Sequence, residues 1–130
     1  MVVSRTTRVN WALRLGLGVM YLYSGFDIIS HPTAWTWAIR QLPVVIQNPI
    51  MSIGGGGVTF LTIQGAVEIL FALVFLAWFL PRKLVWLVTL LSAFEMGFIL
   101  LLVGLDAVTF RDIGVLGASI ALMFNLGENQ

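Results

Sequence analysis

Hydrophobic residues occupy four long segments of the chain, and shorter, more polar segments connect them. The apolar segments cover about residues 11–29, 58–80, 84–105 and 110–126. A helix needs about 20 mostly apolar residues to cross a bilayer, and a shorter helix is accommodated by local thinning or by packing against its neighbours. The pattern predicts an all-α membrane protein, a four-transmembrane-helix bundle that forms a single domain over residues 1–130.

The connections between these spans differ in length. Residues 81–83, Pro-Arg-Lys, predict a tight turn that makes the second and third spans antiparallel neighbours, and residues 105–112 predict a short turn on the opposite side. Residues 30–57 form a longer connection. There Pro32 can begin a helix, and Trp35, Ile39 and Leu42 follow at helical spacing. We expect a short amphipathic helix at about 32–42 that lies at the membrane interface, anchored by Trp35 and Trp37.

The composition excludes an ordinary soluble domain. The chain is 59% hydrophobic and 10% charged, and its mean hydropathy is +0.99, whereas a soluble domain carries roughly 25% charged residues. The sequence has no cysteine, which removes disulfides, thiol redox chemistry and thiolate metal sites. A net charge of +1 provides no field for nucleic acid. Membrane lipids are therefore the first expected partner.

Basic residues predict the orientation of the spans. Most lie on the side of the termini, and two lie on the opposite side: Arg5, Arg8, Arg14, Arg82 and Lys83 against Arg40 and Arg111. The positive-inside rule then places both termini in the cytoplasm. The arginines before the first span resemble those of a signal peptide, but no small-x-small cleavage site with a polar sequence after it is evident. We therefore expect a retained span.

Two acidic residues are predicted near the middle of their spans. At about 1.5 Å of rise per residue, Glu68 and Glu95 reach a similar depth when counted along antiparallel helices. Gln64 lies one turn from Glu68 on the same face, and Tyr21 is central in the first span. Charges at such depth cost roughly 2.5–3.5 kcal/mol each. The pattern indicates either a polar-ligand or proton-sharing site, or neutral interhelical hydrogen bonds that fix packing.

Arg14 lies about one turn inside the first span. Its side chain either extends back to the lipid headgroups or reaches inward to a glutamate. Arg14, Gly18, Tyr21 and Gly25 share one helix face, and the small residues on that face let a neighbouring helix approach closely.

Ionic residues also mark the side opposite the termini. Asp27 ends the first span, and Arg111 and Asp112 begin the fourth on that same side. An Asp27–Arg111 contact would tie the two ends together, while Asp112 could instead favour the helix start through the dipole. His31 is the one histidine in the chain, which gives little support for a transition-metal or haem site. We expect no metal and no covalently bound cofactor.

Several short motifs together resemble a known family. The first span contains RLGLG at residues 14–18 and YSGFD at 23–27, and Pro32 and Trp35 follow. With Glu68 in the second span, and Asp112 and Gly117 in the fourth, this layout resembles the DoxX-like family of small four-span membrane proteins. The family often has a lysine just after the Ser-Gly stretch. Ile28 occupies that place here, so no role of that lysine carries over.

The resemblance implies a four-helix bundle in a prokaryotic cell membrane and a link to redox enzymes. The leading hypothesis is an accessory membrane subunit of a larger quinone-linked, respiratory or other redox assembly. It would contact other membrane subunits, and a quinone or lipid, without catalysing a reaction alone. The alternatives are a stand-alone proton-coupled small-molecule carrier that uses Glu68 and Glu95, and a quinone-reactive oxidoreductase subunit.

Overall fold

The chain folds into helices, with four long ones and two short ones in the part that the structure describes. The computed structural model describes residues 5–127, and no strand occurs among them. The long helices are α1 (Arg5–Ser30), α4 (Val58–Leu76), α5 (Arg82–Leu102) and α6 (Phe110–Gly127), and the short ones are α2 (Thr36–Arg40) and α3 (Val44–Ser52). All four long helices are long and apolar enough to cross a membrane. This confirms the prediction of an all-helical, multi-pass membrane protein.

The second span begins at residue 58 as predicted but ends early, and both ends of the third span lie a few residues before their predicted bounds. α4 ends at Leu76 rather than near residue 80, because Ala77 leaves the helical conformation with φ −76° and ψ 118°. Pro81 is extended, with φ −63° and ψ 140°, and α5 begins directly after it. Proline fixes its own φ and suits the start of a helix. The turn therefore includes four residues that hydropathy alone assigns to the second span.

Residues 31–57, termed here the cap segment, contain more structure than the single helix predicted at 32–42. A 3₁₀ turn (Pro32–Trp35) leads into α2, and α3 follows after Pro43. The sequence analysis missed α3 because Pro49 lies inside it, and proline there removes a backbone hydrogen bond. The segment ends in Gly54–Gly57, whose φ angles are all positive. Glycine adopts that region without steric cost, so the chain can turn sharply into α4.

The four long helices pack unequally. α1 packs most extensively on α4, α5 packs on α6, and α1 also contacts α6, whereas α4 and α5 make few contacts with each other. One buried apolar cluster lies toward the end of the molecule that carries both termini, here the terminal end, and includes Leu17, Phe75 and Leu122. A second cluster joins the cap segment to α1 and α4 at the opposite end, here the cap end.

α1 and α4 touch backbone to backbone where two glycines meet. A Cβ atom added to Gly25 would lie 2.6 Å from the carbonyl oxygen of Gly65, and one added to Gly65 would lie 2.8 Å from that of Gly25. Gly18 is similarly close to Leu76 on α4. The close approach predicted for the face that carries Gly18 and Gly25 is therefore present. Such contacts are typical of membrane helices, whose association depends on close packing.

The outward faces of the long helices carry large apolar side chains. Exposed examples on α4, α5 and α6 include Leu70, Leu73, Phe94, Phe98, Leu101, Ile113 and Phe124. In water these faces would form a large apolar patch. In a bilayer they have the same polarity as the lipid chains, which is consistent with the four spans.

Arg14 caps the end of α4. Its Nε atom donates to the carbonyl oxygen of Phe75 at 2.9 Å, and its Nη2 donates to those of Ala77 at 2.5 Å and Val74 at 3.3 Å. The guanidinium also lies 4.4 Å from the centre of the Trp11 ring. The last carbonyl groups of a helix lack intrahelical partners and carry partial negative charge. Arg14 therefore caps α4, a role that the sequence analysis did not predict, and its guanidinium points to these carbonyl groups rather than to a glutamate.

The turn between α5 and α6 is short, as predicted, and Asp106 organises it. The Asp106 Oδ1 atom accepts from the backbone N–H groups of Val108 at 2.6 Å and Thr109 at 2.8 Å. These hydrogen bonds lower the pKa of Asp106 below its usual value. The stabilisation is therefore present at neutral pH and is lost only as the pH falls through that lowered pKa.

We predict that Gly25→Ala destabilises the protein. The added methyl group would overlap the α4 backbone, which cannot move aside as a side chain can, so the loss should be about 1–3 kcal/mol. The matched control is Gly16→Ala on the same helix, because a Cβ atom there meets nothing within 4 Å. That change should be neutral or stabilise by up to ~1 kcal/mol. Unfolding in detergent measures both, and equal stability of the two variants would contradict the proposed contact.

We predict that Arg14→Lys frays the end of α4. A lysine keeps the charge but has no planar fork, so it cannot satisfy three carbonyl groups in this geometry. The expected loss is on the order of 2 kcal/mol, from hydrogen bonds made by a charged donor. Hydrogen exchange of the backbone N–H groups at residues 73–77, the last turn of α4, should accelerate. Arg40→Lys, at an exposed position in α2, is the control. Unchanged exchange in the Arg14 variant would show that the cap is not needed.

Candidate functional site

A cavity of about 610 Å³ lies between the long helices at the cap end. Polar side chains from all four long helices contribute to its lining, among them Ser24 and Asp27 on α1, Gln64 and Glu68 on α4, Glu95 on α5, and Arg111 and Asp112 on α6. The rest of the lining is mainly apolar and aromatic, and includes side chains of the cap segment such as Ile39 and Ile46. The volume falls within the roughly 300–1,000 Å³ of small-molecule sites.

The two glutamates predicted at similar depth both line this cavity. The Gln64 Nε2 atom donates to the Glu95 Oε1 atom, which links α4 to α5. Ser24 and Gln64 interact with the Glu68 carboxyl, and the two glutamates interact electrostatically with each other. Glu68 is only 4% exposed. The structure therefore brings Gln64, Glu68 and Glu95 into one polar group. The sequence analysis predicted a similar depth for the two glutamates, but it did not fix the helix rotations that bring them together.

Both glutamates keep one carboxyl oxygen without a hydrogen bond. The Oε2 atoms of Glu68 and Glu95 are buried and have no partner within the chain. Buried polar groups in proteins are nearly always hydrogen-bonded, and leaving one unpaired costs about 1–3 kcal/mol or more for a charged group. These two atoms are therefore the places where a bound molecule would gain most from a polar contact.

Tyr21 lies beside the cavity, in a chain of hydroxyl groups that crosses three helices. Its hydroxyl is 2.7 Å from the Ser92 Oγ atom, which is 2.8 Å from the Ser119 Oγ atom. All three residues have no exposed surface. Tyr21 also interacts with the Glu95 carboxyl, so the chain of hydroxyls connects to the glutamate pair. The sequence analysis missed Ser119, although it is an isolated hydroxyl residue in an apolar span.

The contact predicted between Asp27 and Arg111 does not form. The Asp27 Oδ2 atom accepts from the Trp35 indole nitrogen at 2.9 Å, and its Oδ1 atom lies 3.3 Å from the His31 Nδ1 atom. The Arg111 Nε atom donates to the Val108 carbonyl oxygen at 3.1 Å. Each residue finds partners within eight positions along the chain, so neither crosses the cavity. Both nevertheless line it, together with Asp112.

The two tryptophans predicted as interfacial anchors also line the cavity. Trp35 and Trp37 are both half-buried, and their rings are stacked with centres 6.3 Å apart. The hydrogen bond from Trp35 to Asp27 ties the cap segment to the end of α1. These residues therefore cover the cavity as well as presenting indole rings at the cap end.

Arg14 is the predicted site residue that the structure places elsewhere, because its guanidinium faces the end of α4 toward the terminal end. Among residues 5–127, no group of three or more His, Cys, Asp or Glu side chains is arranged to hold a metal ion. The cavity and its glutamate pair are thus the candidate site.

We predict that Tyr21→Phe destabilises the protein by about 1 kcal/mol, the usual contribution of one intramolecular hydrogen bond. The ring would stay packed while Ser92 and Glu95 lose a hydroxyl partner. Tyr23→Phe removes the same atom from a side chain that is 73% exposed, and it should leave stability unchanged. Chemical unfolding of both variants in one detergent tests this. A similar loss in both would mean that the hydroxyl chain contributes nothing specific.

The chain was compared with protein-family models, with curated proteins and with solved structures, and none of them matches it.

Proposed function

We propose that this protein is an accessory subunit of a larger redox assembly in a prokaryotic cell membrane, and that it binds a small amphiphilic molecule in the cavity at the cap end. The four long helices form a transmembrane bundle, and α2 lies at the membrane interface. Both termini lie in the cytoplasm, since Arg8, Arg82 and Lys83 are at the terminal end.

The unpartnered oxygens of Glu68 and Glu95 carry this proposal. A cavity with a mostly apolar lining and a few convergent polar groups is the usual form of a small-molecule site. Ionisable groups inside membrane spans mark functional sites by default. Here the two features coincide, so the apolar lining would hold the body of the ligand and the glutamates its polar head.

The accessory role is supported by the outward faces and by the DoxX-like resemblance. The exposed aromatic side chains of α5, such as Phe94 and Phe98, offer area to another membrane subunit or to lipid. The resemblance favours a quinone-linked partner, and a quinol is one amphiphile whose hydroxyl groups could donate to the glutamates.

A stand-alone carrier is less well supported, because it would need access to the cavity from both ends. Toward the terminal end, Leu17, Phe75, Val85 and Leu122 are each at most 2% exposed and pack as one cluster. Protein interiors of this kind are close-packed and hold few voids. The geometry therefore favours binding from the cap end over passage through the molecule.

We predict that gentle solubilisation of the native membrane recovers this chain together with other membrane subunits and a bound small molecule. Mass spectrometry of the proteins and of an organic extract, quinones and lipids included, identifies both. Glu68→Gln keeps the shape of the side chain but cannot exchange a proton. It should retain the partner subunits, because the outward faces are unchanged, and should lower the amount of bound molecule.

The control is Thr62→Val on the exposed side of α4, which should change neither. Recovery of a lone chain or a homo-oligomer would contradict the accessory role. If the Glu68 variant retains the bound molecule but the redox assembly loses its catalytic activity, Glu68 is instead a proton relay in a quinone-reactive subunit.

A further inference from the structure

The cavity is lined by more acidic than basic groups. Asp27, Glu68, Glu95 and Asp112 contribute carboxyl groups, and Arg111 contributes the one guanidinium of the lining. The Asp27 carboxyl group already contacts the side chains of Trp35 and His31. Arg111 lies beside Asp112 and interacts with it. The glutamate pair is thus the part of the lining that lacks a basic neighbour.

No cationic side chain that the structure describes pairs with Glu68 or Glu95. Asp27 and His31 form a close pair of oppositely charged types at the end of α1, and Arg14, the nearest arginine along α1, faces the carbonyl groups of α4. Glu68 is 96% buried, since 4% of its surface is exposed, and its Oε2 atom has no partner. A buried carboxyl group without a counter-charge is costly unless it is neutralised.

Aromatic rings also line this space. Trp35, Trp37 and Phe60 are half-buried side chains of the lining, and they come from the cap segment and α4. The faces of such rings attract cations, and the attraction is stronger where the cation is removed from water. Aromatic rings combined with unpaired carboxyl groups are complementary to an organic cation rather than to an anion.

We infer that the cavity binds a lipophilic organic cation, with a protonated amine, quaternary ammonium or phosphonium centre placed against Glu68 and Glu95 and apolar arms against the aromatic lining. This inference rests on the proposed function, because it names the ligand class of the same cavity. A cation supplies the counter-charge that the chain itself does not. A neutral molecule of the same shape fills the cavity but leaves the carboxyl groups without one.

The experiment compares a cation with a neutral molecule of similar shape. Methyltriphenylphosphonium and triphenylphosphine, which carry the same three phenyl groups, are titrated into the purified full chain in nanodiscs of zwitterionic lipid, and binding is measured by calorimetry and by tryptophan fluorescence. A decyl-quinol is titrated in parallel as a neutral amphiphile. We expect saturable binding of methyltriphenylphosphonium at one site, at least tenfold tighter than binding of triphenylphosphine.

Variants then locate the charge. Glu68→Gln and Glu95→Gln should each weaken binding of the cation by about 30-fold or more, as removal of one member of a buried charge pair does, with little effect on triphenylphosphine. Asp106→Asn removes an acidic charge outside the cavity and keeps an oxygen that can accept its two backbone hydrogen bonds. It should bind the cation as the native chain does.

The outcomes separate the two proposals. Equal affinity for the charged and neutral phosphorus compounds overturns the cation inference, and this comparison needs only the native chain, so it holds even if a variant fails to fold. Binding of the decyl-quinol without the cation also overturns it, while the small-molecule site of the proposed function stands. Absence of binding by all three compounds overturns both.

Discussion

The backbone contact between α1 and α4 is the constraint on which the cavity depends. Because Gly25 and Gly65 have no side chains, the two helices meet at backbone distance near the cap end. α5 instead packs on α6 and makes few contacts with α4, although the turn at residues 77–81 joins α4 and α5 closely at the terminal end. The space between them opens toward the cap end. The close packing of α1 on α4 thus leaves room for the cavity between α4 and α5.

The polar groups in that space serve both packing and binding. The hydrogen bond between Gln64 and Glu95 crosses from α4 to α5 where apolar contacts are sparse, and the hydroxyl chain through Tyr21 fixes α1, α5 and α6 around it. Such bonds between membrane helices contribute only about 0.6–2 kcal/mol each. They position the two carboxyl groups without satisfying all four of their oxygens. A network built only for packing would have paired the remaining two, so the neutral-packing hypothesis explains Gln64 better than it explains Glu68.

Much of the fold could be predicted because a membrane span is recognisable from a long run of mostly apolar residues. The four long helices follow from apolar length, and the close approach of α1 and α4 follows from Gly18 and Gly25 at helical spacing. Hydropathy alone did not predict where α4 ends or that α3 forms. Ala77 ended α4 early by leaving the helical conformation, and α3 formed despite Pro49. The similar depth of Glu68 and Glu95 was predictable from antiparallel helices, but the rotations of α4 and α5 that turn both toward one cavity were not.

Side-chain direction was not predictable at the same level. The sequence allows the Arg14 side chain to reach either the lipid headgroups or a glutamate. It does not show that α4 ends beside Arg14 with carbonyl groups that lack intrahelical partners. Asp27 was expected to cross to Arg111, but a partner four residues away, His31, and Trp35 in the next turn need less ordering of the chain. A long polar side chain bonds to the nearest polar groups that lack a hydrogen bond. The positions of those groups depend on where the neighbouring helices end.

The cavity is closed toward the terminal end of the molecule. The cluster around Leu17, Phe75 and Leu122 fills the space between the helices below the glutamates, while the cap segment lies over the other end and is held to α1 by the hydrogen bond from Trp35 to Asp27. A molecule in the cavity therefore contacts the same helices that present apolar faces outward. Glu95 lines the cavity and interacts with Tyr21, whose hydroxyl continues through Ser92 on α5 to Ser119 on α6. The cavity lining and the packing of α5 on α6 are therefore joined by one chain of polar groups.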